Sequence, residues 1–108
     1  MESRFEGVEM LPLAWDEGCL LALFRFKPGA EVPVHDHPEA QYGVVLEGEG
    51  VFTDDEGEET RVEEGDSYAI KPSERHGFKA LTRVVVLDIF VPAREDYKKF
   101  MRKPDKNE

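Results

Sequence analysis

With a single cysteine, Cys19, the chain can close no internal disulfide, which suits a reducing compartment better than an oxidising one. Long apolar runs are missing too. None approaches the ~20 residues a helix needs to cross a bilayer, and the opening MESRFEGVEM has no signal-peptide core. A soluble, cytoplasmic protein is expected. Positive charge is scarce, with 14 Lys and Arg against 24 Asp and Glu, for a formal net charge of -10. Such a chain repels nucleic-acid phosphates and anionic membrane surfaces, so neither is expected as a partner. Repeats, linkers and low-complexity blocks are absent, and 108 residues can bury one core without covalent staples. One domain over 1–108 is expected, its core over about 20–91.

What the chain does have is regular punctuation. Glycines and prolines recur every several residues between Pro28 and Pro92, and the stretches between them are short and rich in Val, Leu, Phe and Tyr. That spacing predicts many short strands, hence an all-β sandwich or barrel. Strands are expected over 20–26, 41–46, 51–53, 60–62, 65–70, 76–80 and 83–91. The acidic tip 54–59 joins two of them as a hairpin turn, with Gly57 available for positive φ. It lacks the Asp alternation and closing Glu of a calcium loop, so a solvated turn is expected. Only 94–103 carries helical spacing, with Tyr97, Phe100 and Met101 on one side, and a short C-terminal helix is expected there within the tail 94–108.

Histidine is scarce, with 3 in the chain, and two of them sit one residue apart in VHDHPEAQ. Residues two apart on a strand face the same way, so His35 and His37 can point their imidazoles at one place, and Gln41 shares their parity. A divalent cation needs several donors converging at about 2 Å, and two histidines of one strand rarely suffice. A third must come from elsewhere in the chain, and His76 is the one remaining.

The pattern Gly29-x5-His35-x-His37-x3-Gln41-x6-Gly48, followed by Gly65-Asp66-x9-His76, resembles the two signatures of the cupin superfamily over roughly residues 26–91. This resemblance implies a jelly-roll β-barrel that binds one divalent transition metal (Ni, Mn, Zn or Fe). Its ligands would be His35, His37, Gln41 and His76, with Glu39 as a competitor of Gln41 for the fourth place. The chain departs from the family pattern at several points. The acid of the first signature is Gln41, the proline of the second appears as Pro72 behind Lys71, its glycine is Ser73 and its closing asparagine is Ala80. A neutral amide in place of a carboxylate leaves the site one charge more positive, which favours Lewis-acid chemistry over support of oxidised iron.

One charge interrupts the longest apolar run. Asp88 shares a face with Val84, Val86 and Phe90, and periodicity alone allows that face to look inward or outward. The segment 85–97, together with Gln41, is similar to the small cupins of pectin and alginate breakdown, the KdgF type. That similarity implies ring opening and ketonisation of 4,5-unsaturated uronates, with Asp88, Phe90 and Arg94 serving the reaction. Asp88 would be the general acid/base, Arg94 a fork for the uronate carboxylate and Phe90 a flat wall for the sugar. Arg94 could instead pair with Glu95 or Asp96 at the surface. A homodimer is expected, because cupin edge strands and apolar outer faces are commonly covered by a second copy. A metal-dependent oxygenase and a non-catalytic sugar-binding module are the alternatives.

Overall fold

Alternation decides the strands. In β2 (Cys19–Phe26) the side chains of Leu20, Ala22, Phe24 and Phe26 are buried while their neighbours are half-buried, the period of two that a sheet with one inner face imposes. β9 (Val84–Val91) turns Val84, Val86, Asp88 and Phe90 inward, although Val85 between the first two is buried as well. The computed structural model describes residues 5–93, so Arg94 and the helix expected over 94–103 lie outside the described residues. No helix occurs among the described residues.

The remaining strands are β1 (Val8–Asp16), β3 (Glu31–His35), β4 (Ala40–Glu47), β5 (Glu49–Thr53), β6 (Glu59–Glu63), β7 (Ser67–Ile70) and β8 (His76–Ala80). They form two sheets, five-stranded in the order β1-β2-β9-β4-β7 and four-stranded in the order β3-β8-β5-β6. All seven pairings among the described residues are antiparallel. This is the expected all-β jelly-roll, with its sheet beginning earlier than the expected core, at Val8. β1 escaped the sequence reading because its register shifts between Pro12 and Ala14, which interrupts the alternation there.

The inner face of the five-stranded sheet carries Met10, Leu20, Val45, Val84 and Phe90, all fully buried. Each such side chain contributes roughly 1.5–3 kcal/mol through removal from water. Phe24 meets Phe90 edge-on at 6.3 Å, and Phe26 of one sheet meets Phe78 of the other at 5.1 Å. The acidic tip is a turn built by its own first residue, since Asp54 Oδ1 accepts the backbone N–H groups of Glu56 and Glu58, each at 2.9 Å. Between β4 and β5 the chain reverses at Gly48 (φ 88°), where a Cβ would overlap the Arg83 carbonyl oxygen.

Candidate metal centre

A bulge aims the first histidine. Val32 pairs with Phe78 and His35 with His76, so three steps along β3 match two along β8 and one extra residue is accommodated around Pro33 and Val34. The extra residue lets His35 share the inward face of Val32, although their sequence separation is odd. His37 is not on a strand. It lies in the connection between β3 and β4, so strand parity with His35, expected from the sequence, is not what brings the two together. The His37 carbonyl accepts the Ser73 backbone N–H at 2.8 Å, which ties this connection to the one before β8. Ser73 has φ 63°, the left-handed region, at the position where the family pattern has glycine.

The three imidazoles converge. Ring centroids of His35 and His76 lie 4.5 Å apart, those of His37 and His76 4.9 Å, and those of His35 and His37 5.6 Å. Their candidate ligand atoms all lie within 4.8 Å of one another, so the trio could hold a metal ion. Every Nδ1 donates to a backbone carbonyl: His35 to Pro33 at 2.9 Å, His37 to Glu39 at 3.0 Å and His76 to Glu74 at 2.9 Å. A carbonyl only accepts, so each neutral ring carries its proton on Nδ1 and offers the Nε2 lone pair as the ligand.

Gln41 and Glu39 sit on opposite sides of His37. The Gln41 Oε1 lies 3.0 Å from His37 Nε2, whereas the Glu39 carboxylate approaches Nδ1 at 3.5 Å. Geometry thus puts the amide, and not the carboxylate, beside the ligand nitrogens. The Gln41 amide N–H donates to Asp88, which orients the oxygen toward His37. Two lone-pair-bearing atoms then face each other at 3.0 Å, an arrangement that a cation between them, or a proton on the imidazole, makes favourable. The donor set fits a divalent transition metal: three neutral imidazoles and an amide oxygen.

Asp88 is buried in the same wall, which settles the question of its face as inward. The Tyr68 hydroxyl donates to its Oδ1 at 2.6 Å. Burial pushes the Asp88 carboxyl up from 3.8 to about 6, against the opposing hydrogen bonds from Tyr68 and Gln41. Tyr68 is itself pushed well above its ordinary value, by burial first and by the Asp88 charge second. Phe90 is 1% exposed, edge-on to His37 at 5.7 Å, and part of the lining of the cavity beside it. The cavity shared by His35, His76, Gln41, Asp88 and Tyr68 measures about 50 Å³, room for an ion and a few waters. Tyr68 and its neighbour Gly43 were not singled out from the sequence, where the signal is one aromatic in a short strand and one glycine in another. Their partnership depends on strand order.

Residues 22–90 match the family of the cupin domain. The chain belongs to the cupin family. Among solved structures it is similar to an RmlC-like cupin from Shewanella frigidimarina, at 32% identity and a TM-score of 0.84, covering 89% of this chain and 86% of that one. It is similar also to KdgF from Halomonas sp., at 27% identity and a TM-score of 0.82, with 88% and 87% covered. A predicted oxalate decarboxylase from Thermotoga maritima matches at 28% identity and a TM-score of 0.72, with 80% and 81% covered. No curated protein matches the chain.

Proposed function

We propose that this cupin catalyses ring opening and ketonisation of 4,5-unsaturated uronates, with a divalent metal held by His35, His37, His76 and Gln41. The observation that carries the reading is Asp88, a buried carboxylate raised to about 6 and bonded to the Gln41 amide that faces the histidines. A group with that affinity both takes and returns a proton near neutral pH. The likeness of the fold to KdgF from Halomonas sp. supports the same choice.

The bound metal supplies Lewis-acid polarisation of substrate oxygens. Asp88 removes the proton of the anomeric hydroxyl; that oxygen forms the new carbonyl as the ring C–O bond breaks, and the released ring oxygen becomes an enolate. Asp88, now a carboxylic acid, returns its proton to the alkene carbon, and the enolate collapses to a ketone. No atom is gained or lost, so the reaction is an isomerisation. Tyr68 and Gln41 donate to Asp88 and hold it in the wall of the cavity. Phe90 packs edge-on against His37 and keeps water from that side of the ring. Arg94, outside the described residues, is assigned the substrate carboxylate because its planar fork matches that group.

The test is to incubate the metal-loaded protein with lyase-generated unsaturated galacturonate and follow loss of alkene absorbance. Wild type should consume the substrate, and Asp88→Ala should lower kcat on the order of 10²–10⁴-fold, the range of a general acid/base. Equal inertness of both proteins would sink this reading and leave metal binding standing.

A further inference from the structure

Tyr68, Gly43 and Asp88 lie in one row across three neighbouring strands. Gly43 pairs with Tyr68 on one side and with Asp88 on the other. Strands stand about 4.8 Å apart, so β7 and β9, separated by β4, are close to 10 Å from each other. Side chains of two strands that are not neighbours seldom meet above the one between them, because the intervening residue projects into the gap. Here that residue is glycine, and the Tyr68 hydroxyl passes over it to reach Asp88 Oδ1 at 2.6 Å. A Cβ built on Gly43 would overlap both Asp88 Oδ1 and the Tyr68 hydroxyl. The far end of the phenol is fixed as well, since its ring stacks on Phe52 of the opposite sheet at 5.4 Å and 23°.

We infer that Tyr68 is a positioning residue for Asp88, with Gly43 as the gap that admits it, an inference that rests on the ketonisation reading for its kinetic consequence. The hydroxyl donates to Oδ1 and Gln41 also donates to the carboxylate, so Asp88 is held from two sides and the Tyr68 bond biases proton exchange toward Oδ2. Tyr68 thereby favours one oxygen for proton exchange and, with Gln41, keeps the carboxylate in one rotamer meanwhile. A buried tyrosine that merely filled space would need neither the glycine beside it nor the short bond above it. Gly43 and Tyr68 occupy no ligand position, and the three imidazoles are held by their own bonds to backbone carbonyls, so the device reaches the metal site only through Gln41.

The experiment uses the metal-loaded full chain with Tyr68→Phe, which keeps the ring against Phe52, and Gly43→Ala, which keeps both partners but fills the gap. Metal stoichiometry of Tyr68→Phe should equal that of wild type, while kcat falls between about 10- and 100-fold with KM unchanged, the cost of a misplaced catalytic group. Crystals of Tyr68→Phe should show the Asp88 carboxylate turned away or in two rotamers. If Gly43→Ala folds, it should reproduce the kcat loss. A Tyr68→Phe enzyme with wild-type kcat overturns the inference. Should wild type be inert on the uronate, the ketonisation reading falls separately, and the crystals decide the positioning role: Asp88 in its wild-type rotamer overturns it.

Discussion

Ser73 stands in a left-handed conformation (φ 63°) that costs an L-residue roughly 1–2 kcal/mol, and its N–H holds the His37 carbonyl. Ser73→Gly removes the steric cost, partly offset by a more flexible unfolded chain, and should raise stability by about 0.5–1 kcal/mol in denaturant melts. Asp88 makes an opposite case, a side chain that costs stability when charged. Its folded value of about 6 lies above the ~3.9 of an unfolded aspartate, so its contribution is fully present below the unfolded value and is lost as pH rises through the folded one. In chelated protein, Asp88→Asn should therefore stabilise at about pH 8 by on the order of 2 kcal/mol and show little gain at about pH 4, as paired thermal melts would read. At this scale the sequence was legible wherever a side chain is rare or out of place. Three histidines, Gln41 and an Asp in a valine run were visible as candidates; the histidines converge, and His35, His76, Gln41 and Asp88 line one cavity. The Tyr68 partnership was not, because tyrosine in a strand is ordinary and its significance arises from a neighbour two strands away.

Strand by strand, the punctuation of glycine and proline marked where elements end but not where registers slip. The bulge in β3 decides the direction of His35, and nothing in Pro33-Val34 announces it. Deleting Val34 should restore plain alternation and leave His35 two residues after Val32, on the same inward face and still opposite His76. The expected outcome is that stoichiometric metal uptake survives, by titration or elemental analysis, with far-ultraviolet circular dichroism preserved. The Gly48 reversal is a case where sequence and structure agree for a physical reason. That glycine belongs to the family pattern, and a side chain there would meet the Arg83 carbonyl. Gly48→Ala should destabilise by roughly 1–3 kcal/mol or prevent folding, measured as a lowered urea midpoint.

For the molecule as a whole, the formal charge of -10 sets the terms on which the proposed anionic substrate would arrive. Repulsion acts over a Debye length of about 8 Å at physiological salt and several times farther in dilute buffer. Raising ionic strength should therefore increase kcat/KM for a uronate while leaving kcat nearly constant, the reverse of the salt response of a steered enzyme. The same charge was readable from composition alone, whereas sheet order and the small cavity volume were not, since both depend on contacts far apart in the chain. His35 and His76 stand on the four-stranded sheet and Gln41 on the five-stranded one. A cation gripped by all of them acts as a rivet between two leaves that otherwise adhere through oily side chains. Melting temperature then becomes a gauge of metal supply: saturation at a hundredfold excess over Kd adds about 2.7 kcal/mol, and a chelator takes it away.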